Sequence, residues 1–307
     1  MPFLSTPLFA VPGRFIWRVS LLLILTHSSW TAAQNKLLVF TVNYPLQYFA
    51  QRIAGAYADV VFPAPADVDP AFWDPPVNVI SRYQQADIIL LNGANYANWI
   101  NRVSLARRKL LNTSAGFSSR YISEQGGVTH SHGLTGEHSH TGIAFTTWLD
   151  FKQAADQARS IAETMARLRP QWQDAFMENL RNLETDLLNL DQQVQSTVAD
   201  RNKLPLLASH PVYQYFQHRY DMNLKSVSWE PDEMPVKSAW SALENALRGF
   251  PARWMIWEST PDPRIVDRLR QLNVESVVFD TVANRPVDGD FLSVMRQNLL
   301  NLQQIFQ

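Results

Sequence analysis

The stretch PQWQDAFMENLRNLETDLLNLDQQVQSTVA, Pro170 to Ala199, decides the fold. Its apolar residues Trp172, Phe176, Leu180, Leu183, Leu187, Leu190, Val194 and Val198 recur at steps of three and four, the period of one long amphipathic helix. Pro170 suits the first helical position, where a missing N–H costs nothing. At ~1.5 Å per residue such a helix is on the order of 40 Å long, enough to span a small lobe. Strand and helix patterns lie on both sides of it. It therefore reads as a helix joining two α/β lobes; a core helix of one domain is the alternative, and a chain of 307 residues favours two domains.

Before the helix, Lys36 to Val42 (KLLVFTV) is rich in β-formers, and after Pro45 the residues Leu46, Phe49, Ala50 and Ile53 share one helical face. Ala58 to Pro63 and Ala86 to Leu91 read as further strands, and Asn95 to Leu105 as a helix. The prolines of PADVDPAFWDPP, Pro65 to Pro76, forbid a regular helix and leave Phe72 and Trp73 on a loop, and loops at strand ends line ligand clefts in such folds. Trp148 to Arg169 carries Ala154, Ala158, Ile161, Met165 and Leu168 at helical spacing. Beyond the long helix the alternation resumes, with strands at Leu204 to Ala208, Leu224 to Trp229, Trp254 to Trp257 and Ser276 to Phe279. Helices are expected at His210 to Tyr220, Ala239 to Phe250, Pro263 to Leu272 and Phe291 to Phe306. The class is α/β: two lobes, each with a mainly parallel sheet flanked by helices.

Near-zero net charge and the lack of a basic stripe argue against a nucleic-acid partner, and modest Gly and Pro content argues against disorder. At the N-terminus, Arg14 and Arg18 precede the apolar run Val19 to Leu25, with small residues at Thr31, Ala32 and Ala33. This pattern is a secretory signal peptide over residues 1–33, since the apolar run falls far short of the ~20 residues that span a bilayer. The expected mature chain is a monomer in the periplasm, with lobes over residues 34–169 and 201–307 and the linking helix over 170–200. The chain has no cysteine, which excludes disulfides, thiolate metal sites and a lipid-bearing N-terminal cysteine. Any metal must bind through His, Asp or Glu.

Four of the seven histidines fall in GGVTHSHGLTGEHSHTG, residues 126–142, as the pairs His130 with His132 and His138 with His140. The stretch lacks apolar periodicity and is expected to be a mobile loop. In an extended segment, residues two apart project to one side, so each pair can offer two imidazoles to a borderline cation such as zinc. A solvated polar loop is the plain alternative. Flexible ligands make a capturing site rather than a rigid one, because binding must also order the loop.

Several segments, taken in order, resemble the periplasmic solute-binding proteins of zinc and manganese ABC transporters, the cluster that includes the high-affinity zinc-uptake binding protein. They are NYPLQYFAQRIAG from Asn43, the Asp69-Pro70 loop, ADIILLNGANYANWI from Ala86, and the His-rich loop before Trp148-Leu149-Asp150. The long helix, SHPVYQYFQHRYDM from Ser209, WEPDEMP from Trp229 and the run from Ile256 through Asp280 to Asn298 complete the series. The resemblance implies two rigid lobes on a long helix, a divalent metal between them, and delivery to an ABC transporter permease. By position it makes His210 the second-lobe histidine ligand and Asp280 the carboxylate ligand. It also implies first-lobe histidines where this chain has Ala71 and Thr146.

Zinc usually takes four ligands, so His210 and Asp280 leave a site to be completed. Three readings follow: the loop histidines fold into the cleft, the cleft binds weakly, or its ligand differs from the family's. Glu258, after the WMIW strand, is a further oxygen donor or an ordinary paired glutamate. Imidazole favours zinc over manganese. A metal buffer or chaperone acting without a permease is an alternative function. A metal-dependent hydrolase built from His210, Glu258 and Asp280 is another, although no HExxH, GxSxG or P-loop pattern occurs. The reading is a binding protein rather than an enzyme.

Overall fold

A computed structural model of the protein describes residues 1–3, 36–124, 129–131, 137–139 and 142–306. The expected signal peptide lies outside these residues, except for its first three. Strand β1 (Leu37–Thr41) leads into helix α1 (Tyr44–Ala54), whose N-cap is Asn43; its side chain accepts from the Leu46 N–H. After β2 (Ala58–Val61), α2 (Val77–Gln85), β3 (Ile88–Leu91) and β4 (Leu110–Asn112), the four strands form a parallel sheet in the order β2-β1-β3-β4. Two short antiparallel pairs follow. β5 (Ser123–Glu124) pairs with β8 (Gly142–Ile143), and β6 (Thr129–Ser131) pairs with β7 (Glu137–Ser139).

Helix α3 (Phe151–Leu168) is capped by Asp150, which accepts from two backbone N–H groups of its first turn. A short 3-10 turn at Pro170–Trp172 then opens α4 (Gln173–Val198). The second sheet is assembled from β9 (Leu206–Ala208), β10 (Leu224–Ser226), β11 (Trp254–Trp257) and β12 (Glu275–Val278), again parallel, in the order β10-β9-β11-β12. Helices α5 (Gln214–Arg219), α6 (Lys237–Gly249), α7 (Pro263–Gln271) and α8 (Phe291–Phe306) accompany it. All the elements lie in one compact unit, Lys36–Gln307.

The two sheets share one topology. In each, the second strand lies on one side of the first and the third on the other, so each has a topological switch point at the C-terminal ends of its first and third strands. The buried face of α4 is the one its periodicity predicts: Phe176, Leu180, Leu183, Leu187, Leu190, Val194 and Val198. This face packs on α1 and α3 of the first lobe and on α8 of the second. The lobes are also tied directly. Phe291 of α8 meets Phe49 of α1 edge-on at 5.2 Å, the indole N–H of Trp148 donates to the Thr281 carbonyl at 2.7 Å, and the Tyr215 hydroxyl donates to the Ala144 carbonyl at 2.9 Å. Buried Asp191 on α4 takes two hydrogen bonds from Arg219 and one from the Tyr220 hydroxyl. None of the described helices is long and apolar enough to cross a membrane.

Three expectations need correction. The segment Asn95 to Leu105 is not an α-helix but a loop with a 3-10 turn at Asn98–Arg102, because Ala94, Asn95 and Ala97 all take positive φ (49°, 61° and 54°). The helix expected from His210 starts only at Gln214, which leaves His210 in the turn after β9. The stretch expected as one mobile loop, residues 126–142, contains the paired strands β6 and β7. Four elements have no counterpart in the sequence reading: α2, of which only Tyr83 is fully buried, the three-residue β4, and the two-residue strands β5 and β8.

Candidate metal centre

The switch point of the second sheet sets the site. His210 lies just beyond the end of β9, Glu258 directly after β11, and Asp280 two residues past β12. Backbone pairing continues past β10, with the Trp229 N–H donating to the Ser209 carbonyl at 2.9 Å, and this brings Glu230 to the same place. The imidazole of His210 is only 3 % exposed and sits between two carboxylates: Glu258 Oε1 is 2.8 Å from Nδ1 and Glu230 Oε1 is 3.2 Å from Nε2. Burial pulls the His210 pKa down, but its hydrogen bonds to Glu230 and Glu258 outweigh this and raise it to about 10. At neutral pH the ring is therefore an imidazolium, hydrogen-bonded to Glu230 through Nε2 and ion-paired with Glu258 at Nδ1. A carboxylate at Nδ1 orients a metal-binding histidine and raises its basicity.

Asp280 is held from behind. Its N–H donates to Asn298 Oδ1 at 3.0 Å, Asn298 donates to its carbonyl at 2.7 Å, and its Oδ1 accepts from the Val282 N–H at 2.7 Å. Val282 has a φ of 56°, a conformation that costs a β-branched residue on the order of 1–3 kcal/mol. That strain is tolerated in the turn that aims the Asp280 carboxylate. Burial, and then the charge of Glu258, raise the Asp280 pKa above the usual carboxylate range.

Glu230, Glu258 and Asp280 face a cleft of about 930 Å³ whose other wall carries Asp69, Phe72 and Trp73 of the first lobe. Residue 71, a histidine in the pattern the sequence resembles, is a buried Ala whose N–H donates to Asp69 Oδ1 at 2.8 Å. Residue 146, the other such position, is a buried Thr whose hydroxyl donates across to the Val212 carbonyl at 2.5 Å. Among the described residues this wall thus offers carboxylates and aromatic rings but no imidazole. Among the described residues, no three His, Asp or Glu side chains are arranged to hold a metal ion.

The structure brings Glu258 and Asp280 to one cleft, with His210 buried against Glu258 and Glu230. It sets Glu258 against Nδ1 of His210, the paired-glutamate alternative for that residue. Glu230 was not singled out beforehand; its only signal was its place in WEPDEMP. In the His-rich stretch, residue 130 faces residue 138 across the β6–β7 pair, while His132 and His140 lie outside the described residues.

Two α/β lobes whose strand-end loops line a shared cleft are the architecture of a solute-binding protein. The chain belongs to the family of the zinc-uptake complex component A, periplasmic, whose model matches residues 39–305. Among curated relatives it is similar to the zinc-binding protein AdcA of Streptococcus pyogenes serotype M3, with 22% identity over 298 residues, 91% of this chain and 58% of that one. The chain thus spans little more than half the length of that relative. It is also similar to the high-affinity zinc uptake system protein ZnuA of Bacillus subtilis, with 22% identity over 290 residues and 89% of each chain. Its fold matches the Zn(II)-bound ZnuA-like domain of Streptococcus pneumoniae AdcA, with a TM-score of 0.75 at 18% identity, covering 89% of this chain and 99% of that one.

Proposed function

We propose that this protein captures zinc outside the cytoplasm and delivers it to the permease of an ABC transporter. The observation that carries this reading is the buried His210 at the mouth of the second sheet, with Glu258 on Nδ1 and Glu230 on Nε2, and with both glutamates and Asp280 lining the cleft. Family membership and the zinc-binding relatives point the same way. These residues suit the cargo: imidazole nitrogen and carboxylate oxygen are both zinc donors, and imidazole favours zinc over manganese. Zinc would bind Nε2 in place of the proton shared with Glu230, with Glu258 holding the ring from Nδ1; Asp280 would join His210 and Glu230 as a donor only by moving on binding, since among the described residues no three such side chains are set to hold an ion. The histidines at 130, 132, 138 and 140 form a separate capturing site that concentrates zinc. The chain works as a monomer after removal of residues 1–33.

Calorimetric titration of the metal-free protein with zinc, manganese, nickel and copper tests the reading. Zinc should bind more tightly than manganese, and His210→Ala should remove the tighter class of site. A tight site unchanged in His210→Ala overturns the proposed centre. Delivery is tested by zinc accumulation in cells that lack the protein, which should fall at low external zinc and recover when it is restored.

A further inference from the structure

We infer that Asn284 and Arg285 are positioning residues that strap the first-lobe wall of the cleft to the second lobe, so that residues 62–74, which carry Asp69, Phe72 and Trp73, are held in place in the metal-free chain by protein contacts alone. This role is separate from the zinc-carrying reading above and holds whatever the cleft takes up.

The need for a strap is written in the first-lobe loop. Between β2 and α2, Pro63, Pro65 and Pro70 have no N–H, so the loop carries more carbonyl acceptors than donors, and it lies outside both sheets. Asn284 and Arg285 bring the missing donors from the other lobe. The Asn284 amide donates to the Pro65 carbonyl at 2.7 Å and to the Val68 carbonyl at 2.8 Å. Arg285 Nη1 donates to the Ala64 carbonyl at 3.2 Å and Nη2 to the Phe62 carbonyl, while its guanidinium lies 4.7 Å from the centre of the Phe62 ring.

The strap is rooted at both ends in the second lobe. At its base Asp280 exchanges hydrogen bonds with Asn298 of α8, and its Oδ1 accepts from the N–H of Val282, a buried residue with a φ of 56°. The next carbonyl, that of Ala283, accepts from the Tyr44 N–H at the start of α1 at 3.1 Å. At the far end Asp290 and Ser293 exchange hydrogen bonds at the start of α8. Val68, held by Asn284, directly precedes Asp69, so a short run of chain from Asp280 fixes the spacing of two carboxylates that line the cleft from different lobes. A wall positioned in this way does not have to be ordered when cargo binds.

Asn284→Asp tests the role, because it keeps the shape of the side chain and the oxygen that accepts from the Arg285 N–H at 2.7 Å, but turns the donating amide into an acceptor facing two carbonyls. Arg285→Gln, which cuts the other pair of hydrogen bonds, is the second variant. The chain has no cysteine, so spin labels on Ala66→Cys in the held loop and on the exposed Val236→Cys of the second lobe report their separation without competing thiols. In the full metal-free chain we expect one narrow distance distribution, broadened in each variant. Amide hydrogen exchange of residues 62–74 should be about ten-fold faster in each variant while that of α4 is unchanged. A distribution that stays narrow in either folded variant overturns the inference. So does faster exchange that extends equally to α4, since that is a general loss of stability rather than release of the wall. With no metal present, neither outcome bears on zinc binding at His210.

Discussion

Glu258 Oε1 lies 2.8 Å from His210 Nδ1, and this contact decides which nitrogen of the imidazole is open to a metal. With Nδ1 engaged, Nε2 is the nitrogen directed at Glu230, which lines the cleft. Such an orienting carboxylate usually contributes 10–100-fold to metal affinity. Glu258→Gln, which keeps the shape and removes the charge, should weaken zinc binding by roughly that factor. It should also lower the His210 pKa, read from its imidazole signals in an NMR titration. An unchanged affinity would show that Glu258 does not act through the ring.

The raised His210 pKa has two measurable consequences. Because the ring is protonated at pH 7 and zinc needs it neutral, zinc binding at the cleft should release about one proton per ion. Calorimetry in buffers of different ionisation enthalpy counts that proton, and none released would rule out the imidazolium. The second consequence concerns stability. The pKa is about 10 in the folded chain and about 6.5 unfolded, so the folded state holds its proton more tightly. The stabilisation is fully present below pH 6.5 and is lost as pH rises towards 10. Urea midpoints of the metal-free protein should fall across that window, and His210→Ala should flatten the fall.

Replacing His130, His132, His138 and His140 together by alanine should remove most of the zinc taken up by the intact chain while leaving the cleft equivalent in place. Each ~1.4 kcal/mol of lost binding is tenfold in affinity, so the loss of two good ligands is readily visible in a titration. Because imidazole must be neutral to bind, uptake by these residues should drop as pH falls below about 6.5. A loop-substituted chain that binds as many equivalents as tightly as the intact one would exclude the loop from capture.

Leu187, fully buried midway along α4, tests the shared helix. Leu187→Ala leaves a cavity and should cost about 2–5 kcal/mol, measured by urea unfolding. Because α4 packs against helices of both lobes, both should unfold in one transition. Two separated transitions would mean that the helix belongs to one lobe alone.

Period and composition are local properties, and most of what they predict survives in the fold. The buried stripe of α4 is the one spelled out by Trp172 to Val198, the strands WMIW and SVVF fall at β11 and β12 within one residue, and Phe291 to Phe306 is α8 as read. Local spacing could not reveal that Ala94, Asn95 and Ala97 turn left-handed, since that backbone is set by what surrounds it. Nor did it reveal α2, a nine-residue helix that directly follows the proline-rich Pro65 to Pro76 stretch and buries only Tyr83 fully. In the centre, sequence alone picked out His210, Asp280 and Glu258 and noted that Ala71 and Thr146 lack imidazoles. Which atoms meet was decided only by tertiary structure. Parallel pairing of β9 with β10 and β11 brings Glu230 and Glu258, 20 and 48 residues away in the chain, to opposite nitrogens of one buried ring. A distance of that kind is a property of how strands register in a sheet, and no spacing along the chain encodes it.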